Sequence, residues 1–210
     1  MNFLEVGRQI SVLNKLADSY HCDLIDNKFA PTFGLPTEFI MQVKSISSLP
    51  IDVHLMVDDV ERTVEMLLQI GVDVITLPVE RISSNAFRLI GRIKDAQVRI
   101  GVALNPLTSL EDLTYVLPIL DKVTVLMFDP GIAGQKLINA MFSKVSALVE
   151  ARRQNGYGFD IEVDGSCNKQ NFKGMSSCGA DQFVVGASGL FTLDEDIEIA
   201  WRKMKDYMND

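Results

Sequence analysis

Short apolar runs recur along the chain and alternate with longer stretches whose apolar residues lie three or four positions apart. The short runs predict buried β-strands, and the longer stretches predict amphipathic helices. The predicted strands are Tyr20 to Ile25, Ile51 to Val57, Val72 to Leu77, Val98 to Leu104, Val123 to Phe128, Phe159 to Val163 and Gln182 to Val185. Because a helix follows nearly every strand, the pattern predicts consecutive βα units with parallel strands.

The helical stretches have boundary signals at several ends. They are predicted at Leu4 to Ala17, Glu38 to Ile46, Val60 to Ile70, Ala86 to Lys94, Leu110 to Leu117, Ala140 to Asn155 and Leu193 to Met208. Gly71 and Gly156 stand where helices should end, and the pairs Asp58/Asp59 and Asp194/Glu195 stand where helices should begin. We expect one α/β domain over residues 1–210, a TIM (β/α)8 barrel whose first strand lies before Met1.

Composition narrows the classes of function. The 210 residues carry a net charge of -8 at pH 7, which argues against nucleic-acid or anionic-membrane partners. The three cysteines lack metal-type spacing and predict reduced thiols in a cytoplasmic protein. We find neither a signal-peptide pattern nor an apolar run long enough to span a bilayer, so we expect no membrane partner.

Imidazole and carboxylate side chains stand at or near the ends of three predicted strands. His21 and Asp23 share one face of their strand because they are two residues apart, and His54 and Asp164 stand at the ends of two others. Together they form a plausible ligand set for Zn²⁺, Fe²⁺, Co²⁺ or Mn²⁺. The alternatives are a histidine hydrogen-bonded in the core and an aspartate that only caps a turn.

Three glycine-containing loops follow predicted strands. Gly165 and Ser166 come directly after Asp164, and Gly186, Ala187 and Ser188 follow the last strand, where barrels usually bind phosphate through backbone N–H groups. The third loop follows the strand Val123 to Phe128 and is predicted either to lie over a ligand or to form a simple turn. It contains Gly131, Ile132, Ala133 and Gly134.

Several blocks carry a resemblance to a known family. They are His21-Cys22-Asp23-Leu24-Ile25-Asp26, Asp52-Val53-His54-Leu55-Met56-Val57, Asp129-Pro130-Gly131-Ile132-Ala133-Gly134-Gln135 and Glu162-Val163-Asp164-Gly165. Together they resemble the ribulose-phosphate 3-epimerase family. The stretches around Asn85, Asn168 and Gly186 are most similar to its D-allulose-6-phosphate 3-epimerase branch.

The resemblance implies a metal-dependent epimerase with a two-base mechanism. The enzyme's divalent metal would be held by His21, Asp23, His54 and Asp164. The metal would stabilise the negative charge that develops on a phosphorylated ketose. One of Asp23 and Asp164 would remove the proton at C3, and the other would return a proton on the opposite face. The preferred pair is allulose 6-phosphate and fructose 6-phosphate, with ribulose 5-phosphate as the alternative substrate.

Departures from the family pattern keep a second class open. Pro78 replaces a usual histidine, and Ile25 and Leu126 replace methionines that would line the constriction at the metal. A family serine on the first strand would lie before Met1. These changes allow a non-catalytic sugar-phosphate-binding barrel or partner subunit, and an unpaired strand edge predicts a homo-oligomer. An orotidine-decarboxylase-like site is disfavoured, because no lysine follows Asp23 at the required spacing.

Overall fold

The central feature of the computed structural model, which describes residues 1–2, 4–132 and 134–209, is one parallel sheet of seven strands in chain order. The strands are β1 (Tyr20–Ile25), β2 (Ile51–Met56), β3 (Val74–Pro78), β4 (Arg99–Leu104), β5 (Lys122–Leu126), β6 (Asp160–Asp164) and β7 (Gln182–Val184). All seven predicted strands are therefore confirmed, with ends that shift by one or two residues. Over the described residues, the sheet corresponds to seven of the eight strands of a TIM barrel.

Helices follow most strands, and among those described none combines the length and apolarity that crossing a membrane requires. They are α1 (Val6–Leu13), α2 (Thr37–Ile46), α3 (Val60–Ile70), α4 (Val79–Ile82), α5 (Ala86–Asp95), α6 (Ala140–Asn155), α7 (Phe172–Ser177) and α8 (Ile197–Asn209). The helix predicted from Leu110 to Leu117 is wrong. Two 3₁₀ turns, Leu110–Leu113 and Leu117–Ile119, replace it, because Pro118 lacks an N–H donor and disfavours helical geometry at the preceding residue.

Most predicted helix boundaries agree with the structure to within two residues, but α1 ends four residues before the predicted Ala17 and α8 begins four residues after the predicted Leu193. The Asp59 carboxylate accepts a hydrogen bond from Arg62 N at 3.2 Å and caps α3, while Gly71 and Gly156 end α3 and α6 in left-handed conformations. Helix α8 begins two to three residues later than the Asp194/Glu195 pair predicts. The Asp196 carboxylate accepts from Glu198 N at 2.8 Å and occupies the capping position instead.

The two faces of the sheet have different chemistry. The outward face carries Val, Ile and Leu side chains that join the buried core with the helices, as in Val53, Leu55 and Val125. The inward face is largely polar, because polar residues occupy alternating positions of several strands. The parallel register places these residues side by side. His21 pairs with Asp52, and Asp23 pairs with His54. The parallel register thus gathers the candidate ligands on one face at one end of the sheet.

The outer edge of β1 is partly covered by the chain's own loop. Leu35 N donates to Asp23 O at 2.8 Å, and Gly34 N donates to Ile25 O at 3.1 Å. Among the described residues, no strand bridges β1 and β7. The single-domain organisation, the cytoplasmic location and the homo-oligomeric state remain predictions from the sequence.

Gly34 allows this close approach, so a side chain there should destabilise the fold. A Cβ atom at Gly34 would lie 2.4 Å from Asp23 O and 2.5 Å from Ile25 N, both backbone atoms that cannot rotate away. We expect Gly34→Ala to lower the free energy of unfolding by about 1–3 kcal/mol, measured by urea denaturation. Gly158→Ala is the control, because its Cβ atom would meet nothing within 4 Å. Equal stability of the two variants would contradict the prediction.

Candidate metal centre and active site

Four ligand-type side chains meet at the carboxyl end of the sheet. His21 and Asp23 lie on β1, His54 on the adjacent β2, and Asp164 at the end of β6. Each offers one ligand atom, and all four atoms lie within 4.8 Å of one another. His54 Nδ1 lies 3.2 Å from Asp23 Oδ1 and 3.7 Å from Asp164 Oδ2. The predicted set therefore converges in space, with two nitrogen and two oxygen donors.

A single divalent cation fits the chemistry of this cluster. His21 Nδ1 is 2.8 Å from Asp52 Oδ2, and since a carboxylate can only accept, Nδ1 carries the proton of this bond. The other nitrogen, His21 Nε2, is buried and has no hydrogen-bond partner among the described residues. It lies 3.3 Å from Asp23 Oδ1 and 3.9 Å from Asp164 Oδ2. A buried imidazole nitrogen that faces two carboxylates and can release its proton to a cation is what a metal ligand presents.

The carboxylates strongly perturb both imidazoles in the metal-free protein. Burial lowers the pKa of His21, but the negative charges of Glu162 and Asp52 outweigh burial and raise the pKa well above its ordinary value. Burial also lowers the pKa of His54, whereas the nearby carboxylates of Asp164 and Asp23 outweigh burial and raise the pKa to about 9. Without a metal, protons therefore supply the positive charge that the cluster needs.

A cavity of about 370 Å³ opens above the cluster, and both Asp23 and Asp164 line it. Each loop residue expected from the sequence also lines it, apart from Ala133, which lies outside the described residues. These are Gly131, Ile132, Gly134, Gly165, Ser166, Gly186, Ala187 and Ser188. His21 and His54 are not among the lining residues, as both are largely buried.

Apolar side chains form much of the remaining wall. Ile25 and Leu126 line the cavity, as expected for the constriction. Met56 also lines the cavity, because it lies two residues beyond His54 on the inward face of β2. Phe128 and Thr192 line it as well and carry no sequence signal of their own.

The loops around the cavity hold one another in place. Ser166 Oγ donates to Gln135 O at 2.9 Å, and Asn168 Nδ2 donates to Ser188 Oγ at 3.4 Å. Gly165 has φ +109, and a Cβ atom there would lie 2.6 Å from the Phe128 ring. Ser166 follows with φ 55, which is uncommon for a residue with a side chain. Backbone of this kind can approach an anion closely.

Sequence reasoning missed the polar residues below the cluster. Asp52 and Glu162 stand two residues before His54 and Asp164, so they share the inward face of their strands. Both are almost fully buried, and Glu162 Oε1 lies 3.6 Å from His21 Nδ1. The two-residue repeat of side-chain direction along a β-strand could have placed Asp52 and Glu162 on the inward face. It could not have shown which partner each carboxylate contacts.

The sheet and the cluster at its carboxyl edge define an α/β barrel of the TIM class. Among solved structures, the chain is similar to KGPDC from Streptococcus mutans, with a TM-score of 0.70 and 15% sequence identity. The match covers 97% of this chain and 91% of that one. At this identity the likeness shows the fold alone.

The family follows from the sequence comparisons. Residues 1–191 match the ribulose-phosphate 3 epimerase family. The chain is 38% identical over 170 residues to the ribulose-phosphate 3-epimerase of Treponema pallidum, covering 80% of this chain and 77% of the relative. It is 32% identical over 204 residues to that of Aquifex aeolicus, covering 97% and 90% respectively. The chain therefore belongs to the ribulose-phosphate 3-epimerase family, a family of isomerases.

The raised pKa of His54 gives the metal-free protein a defined pH dependence. Protonated His54 stabilises the fold below its ordinary pKa of 6.5, and this stabilisation is lost as the pH rises through about 9. We expect the free energy of unfolding of chelator-treated protein to fall by up to about 3 kcal/mol between pH 6.5 and 9.5. Urea denaturation at both pH values measures this difference.

His54→Asn provides the control, because it removes the titrating group. Its stability should fall less over the same pH range. Metal affinity should change in the opposite direction and strengthen as the pH rises, because the metal competes with these protons. Metal-free wild-type protein that is equally stable at both pH values would contradict the assignment.

Proposed function

We propose that this chain is a metal-dependent epimerase that inverts C3 of ribulose 5-phosphate. The observation that carries the proposal is that Asp23 and Asp164 reach one cavity from β1 and β6, next to the two imidazoles. Family membership and the names of the relatives support the reaction class and favour the pentulose phosphate. Allulose 6-phosphate, preferred from the short motifs, has no support from these relatives.

The metal would be bound by His21, Asp23, His54 and Asp164. A divalent ion held there supplies electrostatic stabilisation for the negative charge that develops when C3 loses its proton. Zn²⁺, Fe²⁺, Co²⁺ and Mn²⁺ all suit a set of two imidazoles and two carboxylates. Nε2 of His21 has no hydrogen-bond partner in the part of the chain that the structure describes, and this buried nitrogen supports the assignment because it is available for a ligand bond.

Two carboxylates on different strands suit a reaction that inverts one carbon. One aspartate accepts the C3 proton, and the other, already protonated, donates a proton to the opposite face. No further reactant is needed, since one proton leaves the substrate and one enters it. Asp23 is 44% exposed and Asp164 is 17% exposed, so both can exchange protons with solvent between turnovers.

The phosphate group would bind between the loops after β6 and β7. Gly165, Ser166, Gly186, Ala187 and Ser188 all line this part of the cavity. No Lys or Arg side chain lines the cavity among the described residues, so backbone N–H groups and hydroxyls would have to hold the phosphate. The loop with Gly131, Ile132, Ala133 and Gly134 would close over the sugar.

A change at either aspartate distinguishes the enzymatic proposal from the non-catalytic alternative, because a non-catalytic barrel has no turnover to lose. We expect Asp23→Asn or Asp164→Asn to lower epimerase turnover by about 10²–10⁴-fold, because each removes one acid–base group. Proton NMR in D₂O, with metal-loaded protein and ribulose 5-phosphate, follows loss of the C3 proton signal. Allulose 6-phosphate and fructose 6-phosphate, tested in parallel, report substrate preference.

Asp160→Asn is the matched control. Asp160 lies on the same strand as Asp164 but at its other end, where it pairs with Arg99 at 2.9 Å. This variant should keep wild-type turnover. Absence of C3 exchange with every sugar, in wild-type protein shown to be folded and metal-bound, would refute the enzymatic proposal. Faster turnover of the hexulose phosphate would overturn the choice of substrate.

A further inference from the structure

A buried lysine lies directly beneath the metal-type cluster. Lys122 begins β5, is 3% exposed, and its ammonium group contacts Asp52 Oδ2 and lies 2.8 Å from Glu162 Oε1. His21, Asp52 and Glu162 would by themselves form a second candidate ligand group. The ammonium group of Lys122 already supplies a positive charge among them. Neither the family reaction nor the four-ligand cluster requires this lysine.

The backbone opposite Lys122 leaves room for its side chain. Gly101 on β4 lies in register with Thr76 on β3 and with Lys122 on β5. A Cβ atom at Gly101 would lie 2.7 Å from Thr76 Oγ1 and 3.1 Å from Lys122 Cε. The missing side chain thus lets Lys122 extend past β4 toward Asp52, and lets Thr76 turn its hydroxyl toward the same carboxylate.

Asp52 is held at both oxygens. Thr76 Oγ1 donates to Asp52 Oδ1 at 2.8 Å, while Lys122 donates to Asp52 Oδ2. Oδ2 also accepts the 2.8 Å bond from His21 Nδ1, which turns Nε2 toward Asp23 and Asp164. The orientation of one proposed metal ligand therefore depends on a carboxylate that two other strands fix.

We propose that Lys122 and Thr76 are positioning residues, which hold Asp52 so that His21 presents Nε2 to the metal. This role rests on the proposed metal centre but not on the identity of the sugar. Lys122 also balances two buried carboxylates, which would otherwise repel each other and compete for the single Nδ1 proton of His21. Outer contacts of this kind orient a histidine ligand and fix its tautomer.

The interior provides a matched pair of threonines for the test. Thr76 and Thr124 are both fully buried on inward strand positions, and each donates one 2.8 Å hydrogen bond to a carboxylate. Thr76 bonds to Asp52, whereas Thr124 bonds to Glu162. Replacing either by valine removes one hydroxyl at nearly constant volume. The two variants share the structural cost of a lost buried hydrogen bond, yet only Thr76→Val removes a bond to Asp52 itself.

The measurement is the affinity of this chain for Co²⁺, by competition with a chelator, together with the visible spectrum of bound Co²⁺. We expect Thr76→Val to weaken binding about tenfold or more and to change the spectrum. Thr76→Ser keeps the hydroxyl and should restore both. Thr124→Val should bind like the wild type, although its unfolding midpoint in urea should fall as far as that of Thr76→Val.

Lys122→Met tests the second anchor and should weaken Co²⁺ binding at least as much as Thr76→Val does. The threonine pair acts on the same carboxylate and remains informative even where Lys122→Met fails to fold. Wild-type affinity in Thr76→Val, or equal weakening in both valine variants, would overturn the positioning role. A wild-type chain that binds no Co²⁺ would instead refute the metal centre, and this role with it.

Discussion

Charge balance inside the polar face of the sheet constrains the rest of this structure. Asp52, Glu162 and Asp164 are partly or fully buried there, and a buried carboxylate is costly unless a cation or several donors compensate it. Lys122 provides a fixed compensation beneath the cluster. At the cluster itself the compensation is exchangeable, since protons on His21 and His54 or a divalent metal can supply it. The charge compensation beneath the cluster is thus permanent, whereas the compensation within the four-ligand cluster can be taken over by a bound ligand.

The parallel sheet makes this division possible. Side chains two residues apart on one strand face the same way, so one strand can place one group beneath the four-ligand cluster and the next group within it. Asp52 and His54 show this on β2, and Glu162 and Asp164 show it on β6. The outward faces of the same strands are apolar and pack against helices. Stability and chemistry therefore occupy opposite faces of the same strands.

The sequence predicted the strands well because buried parallel strands read as short apolar runs with sharp ends. It also predicted the four side chains of the cluster, since they stand near strand ends and include both histidines of the chain. It did not predict the partners below them. Contacts such as Lys122 with Asp52 join residues 70 positions apart and depend on the missing side chain at Gly101. Sequence periodicity indicates which face of a strand a side chain occupies, but it does not indicate which side chain of another strand contacts it.

The outer edge of β1 lies next to the candidate site. Asp23 serves two purposes there, because its carboxylate faces the cluster while its backbone oxygen accepts from Leu35 N. The loop that supplies Leu35 also contains Ala30, whose Cβ lies within 2.5 Å of where a side chain at Gly131 would begin. One segment thus contacts both the strand that bears a proposed base and the loop beside the cavity. Movement of this segment would alter both at once, so we regard order at the β1 edge as a condition for a well-formed site.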